Sequence, residues 1–208
     1  MTTITENACR IADAVAALPK PDPRNLIALT GPPGAGKSTV AEALCATLNA
    51  RGIPAAIVPM DGFHLDNPIL DSRGLLPRKG APETFDVAGF KSLLTRLQTE
   101  PEVFVPIFDR SIEKAVAAGS VIGPDHTTLI VEGNYLLLDA PHWRDLYSYW
   151  TLSVFLSVPL AELERRHVRR WIGYGLTPDA ARARALSNDL PNARRVIGER
   201  LPADLELS

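Results

Sequence analysis

Residues 31–38 read Gly31-Pro32-Pro33-Gly34-Ala35-Gly36-Lys37-Ser38, and their types and spacing suit one task, the holding of phosphate. They fit G-x-x-x-x-G-K-[ST], in which glycines let the backbone curl and turn its N–H groups inward. Lys37 has the reach for the β- and γ-phosphates of a nucleotide. The Ser38 hydroxyl suits Mg²⁺, and Thr39 follows on the same turn. The N-terminus of a following helix would add partial positive charge. A glycine-rich turn with a chance Lys-Ser is the bland alternative, and the flanks argue against it. Asn25–Thr30 reads as a buried strand running into Gly31, and 38–50 reads as a helix with Val40, Leu44 and Leu48 on one face.

Two acids stand where further strands end. Asp61 follows the apolar run 56–60 and opens Asp61-Gly62-Phe63-His64. A carboxylate there could accept the proton of an attacking hydroxyl. Its alternatives are a metal-linked acid or a simple Asp-Gly turn. Glu132 closes Leu129-Ile130-Val131. It is placed to bind Mg²⁺ or to orient its water, with a solvent-facing strand-end acid as the alternative. A third charged group is Glu164-Arg165-Arg166-His167-Val168-Arg169-Arg170. It reads as a solvated helix face, as a nucleic-acid patch, or as a lid laying guanidiniums on transferring phosphate. Arg165/Arg169 and Arg166/Arg170 are spaced i,i+4, and Gly173 and Gly175 beyond them would allow movement.

The elements that must position these groups alternate. A helix over 5–18 carries Ile11, Val15 and Leu18, and Pro19, Pro21 and Pro23 stop it. A strand is expected over 55–60 and a loop over 61–85, where Gly and Pro recur. A helix follows over 86–97 with Asp86 as N-cap. Residues 103–108 read as extended, and 127–131 and 150–158 as strands. Helices are expected over 159–171 and 178–188. Alternating strands and helices predict an α/β fold with a parallel sheet covered on both faces. Ligands of such sheets lie at the carboxyl ends of the strands, where Asp61 and Glu132 stand.

Composition excludes some classes. The 208 residues suit a single domain over 1–208: an N-terminal helix and linker (1–23), the 61–85 loop beside the site, and the arginine helix with its successor (159–190). Net charge is −2, so general affinity for nucleic acid or an anionic membrane is not expected. The longest uncharged run, 146–161, is too short and polar to span a bilayer. Cys9 and Cys45 are the only cysteines, and no apolar leader opens the chain. A cytoplasmic protein is expected.

The phosphate loop, Met60-Asp61-Gly62-Phe63-His64, the 78–86 stretch Arg-Lys-Gly-Ala-Pro-Glu-Thr-Phe-Asp, Glu132-Gly133-Asn134 and the arginine helix occur in this order. The set resembles the uridine kinase, pantothenate kinase and phosphoribulokinase group of P-loop kinases. Within that group it is most similar to a bacterial branch of fructose-transport-system or sugar kinases. The likeness spans roughly residues 24–198. It implies the P-loop NTPase fold, with about five parallel strands and an arginine-rich helical lid. It implies ATP and Mg²⁺ as cofactors, Asp61 as catalytic base, Glu132 with Ser38 at the metal, and Arg166 and Arg169 on phosphate. It places His64, Lys79, Phe85, Asp86 and Arg110 at the acceptor. The expected reaction is transfer of the γ-phosphate to a hydroxyl of a small metabolite such as a sugar, fructose included. A nucleoside or pantothenate remains open as acceptor, and so does a regulatory ATPase acting on a protein partner. Against the last, the chain carries neither the Asn-Lys-x-Asp of Ras-type GTPases nor a Ser-Gly-Gly signature.

Overall fold

The computed structural model describes residues 3–208. Residues Asn25–Thr30 form β1, buried along its whole length. An apolar run without polar alternation has no face to offer water, so it becomes a central strand covered on both sides. Leu26 and Ala28 enter the core on one face, and Ile27 and Leu29 enter the core on the other. The sheet contains β2 (Ala55–Pro59), β5 (Thr128–Gly133), β1, β6 (Leu152–Leu156) and β7 (Leu205–Leu207) in that order. Every pair is parallel. One face is covered by α1 (Ile4–Ala16) and α2 (Lys37–Ala50) through Ile11, Val15, Val40, Leu44 and Leu48. The other is covered by α4 (Val87–Thr99) with Phe90, Leu93, Leu94 and Leu97, beside Tyr135 and Trp143.

Parallel pairing brings the carboxyl ends of the strands to one edge. Thr30 lies beside Gly133 and Phe155, and Pro59 lies beside Glu132. The phosphate loop, the Met60–Phe63 turn and residues 133–134 therefore leave the sheet side by side.

Several elements differ from the sequence expectations. The 61–85 stretch is not an irregular loop. It contains the Met60–Phe63 turn, α3 (Asn67–Ser72) and single turns at Leu76–Arg78 and Pro82–Thr84. Its prolines stand in the first turns of these pieces, where a missing N–H is harmless. The extended segment is β3 (Val103–Asp109), and it pairs antiparallel with β4 (Lys114–Ile122) in a separate two-stranded sheet. The strand β4 is largely exposed, and its Ala-, Gly- and Ser-rich sequence carries no strand pattern. The helix expected over 178–188 is α6 (Pro178–Arg184), followed by a π-turn at Ala185–Asp189 and by α7 (Leu190–Gly198). The arginine helix is α5 (Leu160–Gly173). Asp86 caps α4 as expected, its carboxylate accepting from the Gly89 N–H at 2.9 Å.

At the opposite edge, Arg24 is 7% exposed and has no carboxylate partner among its hydrogen bonds. Its guanidinium donates instead to the carbonyls of Leu97, Glu100, Pro101, Gly123 and His126. It thus joins the end of α4, the end of β4 and the entrance of β5 to the start of β1.

Candidate active site

Gly34 and Gly36 take φ values of 82° and 91°, a left-handed backbone that only glycine adopts freely. This curls the loop, and α2 starts at Lys37 with its N-terminus facing the enclosed space. The Lys37 side chain folds back over the loop. Its ammonium donates to the carbonyls of Gly31 and Pro32 at 3.0 and 3.1 Å and to Asn134 Oδ1 at 2.6 Å. Burial lowers its pKa to about 8, against the opposing pull of Glu132 and Asp61. Glu132 is 8% exposed and accepts from Ser38 Oγ at 3.4 Å. Burial, then the Asp61 charge, raises its pKa, with Lys37 opposing. Lysine, hydroxyl and two acids thus share one electrostatic neighbourhood.

On the facing wall, Asp61 Oδ2 accepts from Arg110 Nη2 at 2.9 Å. The close packing of the Asp61 turn on β3 makes that pair. A Cβ at Gly62 would fall inside the Pro106 carbonyl, so only glycine lets the two segments meet. The His64 ring lies between Phe85 and Phe108, with centroids at 4.1 and 4.8 Å. Its Nδ1 is 2.8 Å from the Asp61 carbonyl, which can only accept, so Nδ1 carries the proton. Burial lowers the His64 pKa, which suits the neutral ring. Lys79 donates to Asn67 Oδ1 at 2.8 Å and to the Glu113 carbonyl at 3.3 Å, with its ammonium 5.1 Å from the Phe108 centroid.

These groups line a cavity of about 620 Å³. Pro33, Gly34 and the 36–39 stretch of the phosphate loop, with Glu132, form one side, and Asp61, His64, Lys79 and Arg110 form another. Other expected residues stand elsewhere. Phe85 is buried behind His64, and the Asp86 carboxylate is engaged as the α4 cap. Arg166 donates to the carbonyls of Gly34 and Ala35 and to Glu162. Arg165 also pairs with Glu162. The cavity wall has Arg170, not Arg166 or Arg169.

Sequence reasoning assigned no role to a further set. Asn134 meets the Lys37 ammonium directly, and its position one residue beyond Glu132-Gly133 was the available signal. Trp171, Tyr174, Arg184, Asn188, Asp189 and Asn192 also face the cavity. Arg170 and Arg184 lie 5.2 and 5.3 Å from the Trp171 ring centroid. The segment α5–α7 is tied to the 76–80 stretch by Asn188 Nδ2 to the Lys79 carbonyl (3.0 Å), Arg78 to Asn188 Oδ1 (3.1 Å) and Arg184 to the Pro77 carbonyl (3.2 Å). Asn188 and Asp189 are adjacent yet both buried, which the widened π-turn allows. No sequence period signals that.

A parallel five-stranded sheet with a phosphate loop between β1 and α2, and acids at two neighbouring strand ends, defines a P-loop nucleotide-binding protein. A family model described as methylmalonyl Co-A mutase-associated GTPase MeaB matches residues 10–64, which is the phosphate-loop unit and its flanks alone. YggC of Escherichia coli K12 is 38% identical over 188 residues, covering 89% of this chain and 78% of its own length. A Schizosaccharomyces pombe protein named "Putative uridine kinase C227.14" is 34% identical over 197 residues, covering 88% and 83% respectively. A crystal structure from Silicibacter sp. TM1040, described as "putative fructose transport system kinase", is 50% identical. It superposes with a TM-score of 0.93 over 100% of both chains. The chain belongs to the uridine kinase-like group of P-loop kinases, ATP-dependent phosphotransferases with a hydroxyl acceptor.

Proposed function

We propose that this kinase moves the γ-phosphate of ATP to a hydroxyl of a sugar, fructose being the first candidate. The carrying observation is one cavity that holds phosphate-loop donors on one side and Asp61, His64, Lys79 and Arg110 on the other. In this reading an Asp61 oxygen takes the acceptor's hydroxyl proton. The alkoxide oxygen forms the new bond to the γ-phosphorus as the bond to the β-bridging oxygen breaks, and ADP leaves. The Lys37 ammonium and arginines of α5 offset the charge on the transferring group.

Magnesium fits the donor set. Ser38 Oγ and Glu132 offer hard oxygen donors, and Mg²⁺ takes one or two carboxylates with phosphate oxygens and water. Among the described residues no group of three or more His, Cys, Asp or Glu gathers as a softer or fuller metal cage would require. When bound, the ion would neutralise charge shared between the β- and γ-phosphates. Among the described residues no helix is long and apolar enough to cross a membrane, and Cys9 and Cys45 are free. Both suit the cytoplasm as the working compartment.

A sugar acceptor is supported by the name of the 50% identical relative. The name of the S. pombe relative favours a nucleoside as the second reading. ADP release measured across a panel of sugars, nucleosides, pantothenate and other polyols separates them. Stimulation by fructose or another sugar supports the first reading. Stimulation by nucleosides alone replaces it with the second. Hydrolysis that responds only to a protein partner overturns both in favour of a regulatory ATPase.

A further inference from the structure

We propose that His167 is a positioning residue that clamps the phosphate loop from outside, holding its peptide units in the orientation that ATP requires. The inference rests on ATP occupying that loop and on nothing about the acceptor.

His167 is 1% exposed, on the face of α5 turned toward the loop. Its Nε2 lies 2.9 Å from the Pro33 carbonyl. A carbonyl only accepts, so Nε2 carries the proton and donates. Burial lowers the pKa of the ring, which suits a neutral imidazole with one fixed tautomer. The preceding residue of α5 is Arg166, whose Nη1 donates to Gly34 O at 2.9 Å and to Ala35 O at 3.3 Å. Three consecutive carbonyls, of residues 33, 34 and 35, are therefore drawn toward α5.

A trans peptide is planar, and its C=O and N–H point in opposite directions. Drawing the Pro33 carbonyl outward turns the Gly34 N–H toward the cavity that Gly34 lines. Drawing the Ala35 carbonyl outward does the same for Gly36. The contact is steric as well as polar. A Cβ at Gly34 would lie 3.0 Å from His167 Nε2 and 3.2 Å from Cε1, so the ring rests on the bare glycine.

The other side of the ring faces the π-turn. His167 Nδ1 is 3.8 Å from Asp189 Oδ2, and the Trp171 indole N–H holds that same oxygen at 2.6 Å. Asp189 adjoins Asn188, which donates to the Lys79 carbonyl. The π-turn that backs the His167 ring thus also reaches the 76–80 stretch.

Two variants and one measurement on the native chain test this. His167→Phe keeps the ring and removes the donor. His167→Gln keeps a donor near the Nε2 position. By titration calorimetry with MgATP, His167→Phe should bind about tenfold more weakly, as loss of a positioning hydrogen bond implies, and His167→Gln should recover most of the loss. In steady-state turnover the defect should appear mainly in the KM for ATP. Unchanged ATP affinity in a folded His167→Phe overturns the proposal, as does an equal loss in both variants. Wild-type protein that binds no ATP overturns the nucleotide reading along with it. Should His167→Phe fail to fold, ¹⁵N-histidine spectra of the native protein decide, with His167 assigned by the signal missing in His167→Gln. A proton on Nε2 supports the clamp, and a bare Nε2 overturns it.

Discussion

Lys37 is a cation held in a buried place, where burial lowers its pKa to about 8 while Glu132 and Asp61 pull the other way. The sign of the consequence follows. ATP is an anion and favours the protonated lysine, so its affinity is full below that pKa and falls as pH rises through it. The dissociation constant should climb toward tenfold per pH unit above about 8, with uptake of close to one proton on binding, measurable by calorimetry in buffers of different ionisation heat. A flat affinity across that range would mean that the ammonium stays charged. At Asp61 the proposed role is proton acceptance, and a general base is worth ~10²–10⁴-fold. Asp61→Asn should lower turnover by roughly that factor while ATP affinity stays near native. Near-normal turnover would leave Asp61 as a partner of Arg110 only.

At the scale of elements, the site depends on pieces that are far apart in sequence touching without side chains between them. The Met60–Phe63 turn meets β3 at Gly62 against Pro106, and this contact sets Asp61 within reach of Arg110. Gly62→Ala should force the turn off β3. Overpacking of that kind destabilises by about 1–3 kcal/mol. Turnover should fall much further than ATP affinity, because the phosphate loop belongs to other elements. Equal losses in both would place the turn in the nucleotide site. The chain itself announced β1, α2, α4 and β5 through apolar periodicity and the Asp86 cap. It hid β4, an exposed strand of small residues, and the short turns of 61–85, whose prolines and glycines read equally as loop. Local signals report burial and caps, and these pieces are set by their neighbours.

Across the whole molecule the two edges of the sheet divide the work. The carboxyl edge carries the cavity, and the opposite edge carries Arg24 with its five carbonyl partners. Arg24→Ala leaves those carbonyls without their charged donor and should cost on the order of 3 kcal/mol. For a chain of this size that lowers Tm by roughly 6–12 °C. ATP affinity measured well below the transition should stay native, since the lesion lies at the far edge. A large loss of affinity in a folded variant would show that the two edges are coupled.

The sequence by itself determined the phosphate loop, the two strand-end acids, the alternation of β1, α2, β2, α4, β5, β6 and α5, and the family. Each of these rests on neighbours along the chain: glycines at fixed offsets, an acid after an apolar run, a period of 3.6. Only the tertiary structure decided what the arginine helix does in this arrangement. Several arginines in ten residues offer several registers, and packing chose Arg166 for the loop carbonyls and Arg170 for the cavity wall. It also decided that His167 rests on Gly34, and that Asn134, Asn188 and Asp189 join the site. Those residues are brought together by parallel strand pairing and by a π-turn. Their partners lie many residues away, and no spacing along the chain encodes such contacts.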